Sequence, residues 1–334
     1  MTLWLAFAAC AVVIIYCGAR LSRYGDILAE KSGLGGTWIG LLLVASVTSL
    51  PELVTGISAV TYVQAPDIAV GNILGSCVFN LLILAGLDLI EREAPISTKA
   101  RQGHNLAAGF GILLLSVTAL ALHFGGQFPP FGWISLFSLP LAAIYLVSIR
   151  LVYFYEKRQI ARFVEEHARE LKYRQVTLRS AVTGYVGYAV LVFCAALILP
   201  ELGAEIADVS GLGQTFAGNV FVAIATSLPE VVVSVEAMRI GAIDMAVANL
   251  FGSNLFNLFI LPIIDFCYLE GPIFAVVAPG HLVVAITAVA MTSIAILGIT
   301  YRAERKQLWL SWDALALVFL FIANLMFLYM QHPL

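Results

Sequence analysis

Charged side chains are scarce in this sequence. Asp, Glu, Lys and Arg make up only 12% of its 334 residues, whereas 61% of the residues are hydrophobic. Soluble globular proteins carry about 25% charged residues, so a chain of this composition cannot cover its surface with polar groups. The mean hydropathy of +0.95 agrees with this conclusion. The composition therefore excludes a soluble protein and predicts one that is solvated by lipid.

Motifs of several other protein classes are also missing. The five cysteines show no CxxC or metal-ligand spacing, which argues against a disulfide framework or a zinc site. The sequence contains no HExxH, no GxSxG and no glycine-rich phosphate loop, so the usual intramembrane and nucleotide-dependent enzymes are excluded. We expect a protein that is not an enzyme, has no cofactor and does not bind nucleic acid.

What the sequence does contain is a series of apolar runs. A transmembrane helix needs roughly 20 apolar residues, and ten runs reach about that length. They cover residues 3–20, 37–63, 66–90, 104–123, 131–150, 181–200, 212–237, 243–267, 274–298 and 308–330. The predicted fold is thus an all-α polytopic membrane protein with ten transmembrane helices.

The basic residues predict the orientation. All 18 Lys and Arg residues lie in the segments that follow the odd-numbered runs, and the loops on the other side contain acids but no base. Because cytoplasmic loops are enriched in Lys and Arg, the N-terminus is expected outside and the polar block 151–180 in the cytoplasm. We expect the inner or cell membrane of a bacterium or archaeon.

The chain contains an internal repeat. Residues 32–54 align without gaps on 210–232 with 14 of 23 positions identical, and residues 66–90 align on 243–267 with 12 of 25 identical. The chain therefore divides into a first repeat, 1–150 with its motif at 32–90, and a second, 181–334 with its motif at 210–267. Five runs per repeat give the second repeat the opposite polarity. Inverted-topology repeats are typical of secondary transporters.

The segment between the repeats is the one polar block. Residues 151–180 carry seven basic side chains together with Glu156, Glu165, Glu166 and Glu170. The block fits a helix on the cytoplasmic membrane surface, with Phe163, Leu171 and Tyr173 turned inward. It fits a solvated linker equally well.

Two glutamates lie in the middle of apolar runs. Glu52 occurs in TSLPELV and Glu230 in TSLPEVV, at equivalent positions of the repeat. An acidic side chain at the bilayer centre costs on the order of 3 kcal/mol on insertion scales. The alternative role is a protonated carboxyl that bonds a neighbouring helix, but an intramembrane pair related by the repeat indicates a functional site.

Each glutamate has oxygen donors beside it. Thr48 and Thr226 precede the glutamates by four residues, which is one helical turn on the same face. Pro51 and Pro229 lack an N–H, so one helical hydrogen bond is lost in each segment and a carbonyl oxygen is released. Such interruptions are tolerated in membranes where they line a cavity or are buried in protein.

A polar stripe runs along the next helix of each repeat. Its members recur every four residues and are Asn72, Ser76 and Asn80 in the first repeat and Asn249, Ser253 and Asn257 in the second. The stripe is a candidate row of ligands, and hydrogen bonding between helices is the alternative role. Asp88 and Asp265 follow eight residues beyond Asn80 and Asn257. They fit either an ion vestibule or a membrane interface.

These groups define a class of ligand. Two carboxylates with hydroxyl, amide and carbonyl oxygens, and without convergent His or Cys, form an all-oxygen site for a hard cation. Two negative charges neutralise one divalent ion. Calcium fits such a flexible oxygen cage better than magnesium, which retains its water ligands.

The paired motifs resemble those of a known family. TSLPE followed by GNILGSCVFN, and TSLPE followed by ANLFGSNLFN, resemble the two alpha repeats of the cation/calcium antiporter superfamily and especially its sodium/calcium exchangers. The resemblance covers the whole ten-segment plan and implies calcium and sodium as transported ions, exchanged by alternating access. It further implies Glu52 and Glu230 as central calcium ligands. The flanking oxygens that it implies belong to Thr48, Ser49, Thr226, Ser227, Ser76, Ser253 and Asn80 and to the backbone carbonyls of Ala45 and Ala223.

Two positions depart from the family pattern. Cys77 replaces an amide in the first GSN motif. Asn257, which we include among the candidate ligands, is an aspartate in some exchangers, including potassium-dependent ones. Calcium/proton antiport is the principal alternative, since two close carboxylates titrate as a coupled pair, and a passive cation channel is a further one. We expect calcium, sodium and the lipid bilayer as partners and a functional monomer.

Overall fold

Most of the residues of this protein that the structure describes are helical. The structure is a computed structural model and describes residues 2–166, 172–173, 175–209, 226–306 and 309–331. One isolated antiparallel bridge joins Phe131 and Ile134 in a loop. The expectation of a helical membrane protein is confirmed.

The helices follow one another with short connections. In chain order they are α1 Thr2–Ser32, α2 Gly35–Trp38, a π-helix Ile39–Val44, α3 Ala45–Thr48, α4 Leu50–Thr61, α5 Pro66–Ile90, α6 Ile96–Lys99, α7 His104–Phe124, α8 Ser138–Glu166, α9 Leu178–Val209, α10 Leu228–Arg239, α11 Ile243–Cys267, α12 Ile273–Val276, α13 Gly280–Tyr301 and α14 Trp312–Gln331.

Nine helical segments within the described ranges are long and apolar enough to cross a membrane. They match nine of the ten predicted runs. The first residues of the remaining run 212–237, up to residue 225, lie outside the described residues. Its last residues belong to α10. The count of ten helices and the inverted topology remain predictions.

The spans differ in how much of their surface they bury. Most residues in the apolar segments of α5 and α11 are buried, whereas only 22–28% of those in α1, α8, α9 and α14 are buried. Large apolar side chains such as Val12, Leu146 and Phe319 are among the exposed ones. Contiguous exposed apolar surface is unfavourable in water and favourable against lipid tails, so these faces agree with an integral membrane protein.

The chain forms two compact units. Unit 1 comprises Met1–Pro51 and Arg150–Gly252, and unit 2 comprises Glu52–Ile149 and Ser253–Leu334. Each unit therefore takes segments from both halves of the sequence. The division of the chain into repeats 1–150 and 181–334 rests on the internal sequence alignment and remains a prediction.

In unit 1, α1 packs along α9 and also contacts α10 and the π-helix. Close approach between α1 and α9 depends on a glycine, because a Cβ at Gly184 would overlap the Tyr24 ring. The Tyr24 and Tyr188 rings stack with 5.6 Å between their centroids. Small residues at such crossings let helices approach closely in membranes.

The polar block between the repeats joins unit 1 through hydrogen bonds. Helix α8 continues through the first part of 151–180 as far as Glu166. Further along, the backbone N–H groups of Lys172 and Tyr173 donate to the two carboxylate oxygens of Glu30, each over 2.8 Å. The Tyr173 hydroxyl donates to Asp26 over 2.8 Å. The side chains of residues 160–171, which include Phe163 and Leu171, lie outside the described residues.

In unit 2, α13 packs against α5, α7 and α14. The two aspartates whose role the sequence leaves open, Asp88 and Asp265, hold the ends of helices here. Each accepts the N–H of the residue eight positions later, Ile96 or Ile273, over 2.8 Å. Both aspartates are fully buried.

Each of these aspartates also bonds the start of a helix from the other repeat. Asp88 accepts the N–H of Ser311, just before α14, over 2.8 Å. Asp265 accepts the N–H of Ser135 over 2.7 Å and the hydroxyl of Ser138, where α8 begins, over 2.5 Å. Both carboxylates therefore act as anchors between helix ends.

Candidate functional site

Both TSLPE motifs lie at a break in a helix. Helix α3 ends at Thr48, Ser49 has non-helical dihedral angles (φ −92°, ψ 7°), and α4 begins at Leu50. In the second repeat Ser227 has nearly the same angles (φ −88°, ψ 4°) and α10 begins at Leu228. The proline that follows lacks an N–H and suits the first turn of a new helix. The prolines thus mark interruptions in the helices.

The break places each glutamate in the first turn of the new helix. Glu52 lies in the first turn of α4 and Glu230 in the first turn of α10. The N-terminal end of a helix carries a partial positive charge and favours a carboxylate there. This local electrostatics lowers the cost of an acidic side chain at membrane depth. A π-helix, a form found frequently at functional sites, precedes α3 in the first repeat.

In unit 2, Glu52 contacts the polar stripe of α5. Its side chain is fully buried, and its Oε1 accepts a hydrogen bond from the Ser76 hydroxyl over 3.3 Å. Two candidate ligands of the first repeat are thus brought together.

In unit 1, Glu230 contacts the helix break of the first repeat. Its side chain is buried, and its Oε1 accepts a hydrogen bond from the Ser49 hydroxyl over 3.1 Å. The second glutamate is therefore also bonded to a serine hydroxyl, and here the serine comes from the other repeat.

Thr48 lies beside Ser49 and bonds in two directions. Its hydroxyl donates to the Ala45 carbonyl over 3.2 Å and lies 3.5 Å from Asn249 Oδ1. The Ala45 carbonyl also accepts the N–H of Ser49 over 3.0 Å. Asn249 donates to the Ser234 hydroxyl over 3.0 Å. Asn249 thus forms hydrogen bonds between helices, which is the alternative to a ligand role that we gave for the polar stripe.

The π-helix and α3 lie close to the first part of α11. A Cβ at Gly252 would overlap the Leu41 backbone and the Ala45 side chain, and a Cβ at Gly40 would lie 3.0 Å from Ala248. Backbone-to-backbone approach of this kind needs glycine. It holds the Leu41 backbone and the Ala45 side chain against α11 within unit 1.

The lower part of the stripe forms an amide chain in unit 2. Asn80 Nδ2 donates to Asn254 Oδ1 over 3.0 Å, and Asn254 Nδ2 donates to the Cys77 carbonyl over 3.2 Å. Asn257 is buried, and neither of its amide atoms has a hydrogen-bond partner among the described residues.

Nearly all the predicted ligands lie in the described part of the chain, and their side chains are buried there. The buried polar candidates are Thr48, Ser49, Glu52, Ser76, Asn80, Thr226, Ser227, Glu230, Ser253 and Asn257. Ala45 is buried as well. Ala223 lies outside the described residues.

Sequence reasoning missed two polar residues that contact the candidates. Ser234 accepts the amide of Asn249, and Asn254 accepts the amide of Asn80. The alignment of the repeats contains a signal for Asn254, since it is the equivalent of Cys77, 177 positions away. Ser234 follows Glu230 by four residues, which places it one turn further along α10.

Chemically, the described groups are carboxylates with hydroxyl and amide oxygens. Such oxygens are the ligands of hard cations, and calcium accepts six to eight of them in flexible geometry. The buried location raises the strength of charge–charge interactions. The arrangement is therefore suited to binding a dehydrated cation.

Comparison with known proteins agrees with these features. The sequence matches the family model described as sodium/calcium exchanger protein over residues 2–154 and 179–330. It is 29% identical over 263 residues to the inner membrane protein YrbG of Escherichia coli, covering 75% of each chain. It is 26% identical over 266 residues to the sodium/calcium exchanger MaX1 of Methanosarcina acetivorans, covering 72% of this chain and 75% of that one.

Solved structures show the same fold. The structure of the sodium-calcium exchanger NCX_Mj soaked with 2.5 mM Na⁺ and 0.1 mM Ca²⁺ superposes with a TM-score of 0.74 at 19% identity, covering 98% of both chains. The family match extends over most of both repeats. This chain therefore belongs to the sodium/calcium exchanger family of cation antiporters and is a membrane transporter.

Proposed function

We propose that this protein exchanges calcium for sodium by alternating access, with Glu52 and Glu230 as the central calcium ligands. One observation carries the proposal. Both glutamates are buried in the first turn after a helix break, and each accepts a hydrogen bond from a serine hydroxyl, Ser76 or Ser49. Buried acids at membrane depth are expensive and indicate function.

The chemistry of the ligands supports calcium and sodium. Two carboxylates balance the charge of one divalent ion, and the repeat makes the two glutamates equivalent. The hydroxyl of a serine that donates to a carboxylate keeps its lone pairs, so the same oxygen can ligate a cation. Sodium and calcium are both hard ions that bind oxygen, so they would compete for these ligands and be transported in turn.

The remaining ligands in the proposal flank the glutamates. They are the side chains of Thr48, Ser49, Ser76, Asn80, Thr226, Ser227, Ser253 and Asn257 and the backbone carbonyls of Ala45 and Ala223. The name of the relative MaX1, a sodium/calcium exchanger, supports the same pair of ions for this chain. Because both repeats belong to one chain, we propose that the monomer is functional.

The test is calcium uptake into proteoliposomes loaded with sodium. We expect uptake by the unsubstituted protein to require the outward sodium gradient and to be abolished by Glu52→Gln or Glu230→Gln. Glu236→Gln is a matched control, since Glu236 lies on α10 with Glu230 and pairs with Arg239 over 3.9 Å. Uptake that persists in both Glu→Gln variants would overturn the assignment of the glutamates.

The same vesicles distinguish the coupling ion. Uptake driven by a proton gradient in the absence of sodium would make the protein a calcium/proton antiporter. Uptake that follows the calcium gradient alone, without response to either counter-ion, would indicate a passive channel. We expect neither result.

We further propose an orientation in which the N-terminus is outside and 151–180 is cytoplasmic, in a bacterial or archaeal cell membrane. The proposal follows from the Lys and Arg residues, all of which lie on one side of the predicted spans. With ten spans, alkaline phosphatase fused after residue 334 should be active outside the cytoplasm. The same enzyme fused after Arg101 should be inactive, and the reverse result would invert the topology.

A further inference from the structure

The two repeats contact each other at equivalent positions within unit 2. Cys77 on α5 and Asn254 on α11 are related by the repeat, 177 residues apart. Asn254 Nδ2 donates to the Cys77 carbonyl over 3.2 Å, and the Cys77 thiol lies 3.9 Å from the Asn254 carbonyl, to which it donates in return. Each side chain thus bonds the main chain of its counterpart.

The direction of the bonds orients two amides. A backbone carbonyl only accepts hydrogen bonds, so Asn254 must turn its NH₂ group toward Cys77 and its oxygen toward Asn80. Asn80 must then turn its own NH₂ group toward Asn254, over 3.0 Å. The Asn80 side-chain oxygen remains, 1% exposed as a residue and without a hydrogen-bond partner among the described residues. A buried amide oxygen held in this way is a preorganised cation ligand.

Among the described residues of the second repeat, no hydrogen bond equivalent to the one between Asn80 and Asn254 holds Asn257. Asn257 is the equivalent of Asn80, and its potential partner by symmetry is Cys77. A thiol has one weak donor and a weak acceptor, and here the donor is directed at the Asn254 carbonyl. Both amide atoms of Asn257 are buried and have no partner within the described part of the chain.

We infer that Asn254 is a positioning residue that holds the Asn80 amide oxygen ready for the transported cation, and that Cys77 leaves Asn257 without such an anchor. The inference rests on the proposed function, in which Asn80 and Asn257 are ligands. The side-chain amides of Asn80 and Asn257 then differ in how firmly the surrounding residues hold them. The first repeat presents a fixed oxygen, which lowers the ordering cost of binding, whereas the second presents an amide that adjusts to the ion.

The test is a set of variants measured in sodium-driven calcium uptake. Asn254→Cys installs the residue that the first repeat carries at the equivalent position, so the side chain suits this environment. We expect it to raise the KM for calcium roughly three- to tenfold, the range that follows from losing one hydrogen bond, with kcat close to that of the unsubstituted protein. A purely structural role would lower kcat instead.

A double-mutant cycle tests whether Asn254 acts through Asn80. Asn80→Ala should raise the KM at least as much, and adding Asn254→Cys to it should change nothing further, because the oriented oxygen is already gone. A variant that exchanges the two residues, Cys77→Asn with Asn254→Cys, should orient the Asn257 amide in place of the Asn80 amide. In that variant Asn257→Ala should raise the KM for calcium more than Asn80→Ala does.

The outcomes separate this inference from the proposed function. An Asn254→Cys variant with an unchanged KM, or effects that add fully to those of Asn80→Ala, would overturn the positioning role. An unchanged KM in Asn80→Ala, together with loss of uptake in Glu52→Gln, would overturn the inference and leave the proposed function in place. Absence of calcium uptake by the unsubstituted protein would overturn both.

Discussion

The Ser49 hydroxyl donates to Glu230 Oε1 over 3.1 Å although 181 positions separate the two residues. Ser49 lies at the helix break of the first repeat, and Glu230 lies in the first turn after the break of the second. Within unit 1 the two interruptions are therefore joined by one hydrogen bond. A buried carboxylate needs such donors, because an unpaired charge inside a protein is costly.

Removing the Ser49 hydroxyl should weaken calcium binding. Hydrogen bonds to charged groups contribute roughly 1.5–3 kcal/mol, so we expect Ser49→Ala to raise the KM for calcium about tenfold or more. The measurement is sodium-driven uptake at varied calcium concentration. Ser46→Ala is a matched control, because the Ser46 hydroxyl donates to the Leu42 carbonyl one turn earlier in its own helix, over 2.5 Å. Equal KM values for the two variants would contradict the role of Ser49.

Asp88→Asn and Asp265→Asn should destabilise the protein. Both carboxylates accept backbone N–H groups on both oxygens, and an asparagine would turn an NH₂ group toward one of these donors. We expect a cost on the order of 1–3 kcal/mol, measured as a lower melting temperature in detergent. Asp88→Asn should cost more, because Lys306 lies 3.2 Å away with a side chain only 10% exposed.

These variants also decide between the roles left open by the sequence. A residue that lines an ion vestibule would change the KM for calcium at unchanged melting temperature. A residue that anchors helix ends would lower the melting temperature and leave the KM for calcium unchanged. Glu93→Gln provides the control, since the Glu93 side chain is 85% exposed and forms an ion pair with Lys99.

Gly252→Ala should abolish or strongly reduce transport. The added methyl group would overlap the Leu41 backbone and the Ala45 side chain, so α11 would have to separate from the π-helix and α3. Overpacking of this kind typically costs about 1–3 kcal/mol, and occasionally more. Gly187→Ala is the comparison, because no described atom lies within 4 Å of the methyl group it adds. Uptake and melting temperature should fall only in the first variant.

The Glu91–Lys99 pair should make stability depend on acid pH. Burial by itself raises the pKa of Glu91, but hydrogen bonds from Lys99 and the Glu93 backbone, and the charges of Lys99 and Lys306, bring it below its usual value. The nearest oxygen of Glu91 lies 2.9 Å from Lys99 Nζ. A carboxyl group with a lowered pKa in the folded state stabilises the protein above its unfolded pKa of about 4.3, and this contribution is lost as the pH falls.

Lys99→Met tests this dependence. We expect it to lower the melting temperature at pH 7, and the difference from the unsubstituted protein should shrink as the pH falls toward about 3. Lys157→Met, which alters an exposed lysine of α8, should leave the pH profile unchanged. A difference that is the same at both pH values would contradict the contribution of Glu91.

Much of the fold follows from patterns that are local in the sequence. Apolar runs of membrane length predict the spans, and nine of the ten appear as helices within the described residues. The prolines of the two TSLPE motifs predict interruptions, which occur at Ser49 and Ser227, whereas Pro262 lies inside the continuous helix α11. These predictions succeed because the hydrophobic effect and the missing N–H of proline act on neighbouring residues, independently of distant contacts.

Contacts between distant residues were beyond the reach of such patterns. The alternation of polar residues along α5 and α11 does not distinguish a ligand from a bond between helices, yet Asn249 bonds Ser234 and Asn254 bonds both Cys77 and Asn80. The same holds for Asp88 and Asp265, whose backbone partners Ser311 and Ser135 lie far away in the chain. The packing of the helices decides which partner a polar side chain bonds, and the spacing of polar residues in the sequence does not contain that information.

The sequence by itself determined that lipid surrounds this protein, that the protein is helical, that it contains a repeat and to which family it belongs. It could do so because composition, run length and the duplicated TSLPE motif are properties of the chain alone. Only the tertiary structure decided which hydroxyl bonds which carboxylate, which acids anchor helix ends, and which way the Asn80 and Asn254 amides point. Those choices depend on donors and acceptors that folding brings within about 3 Å of each other, across as many as 223 positions of sequence.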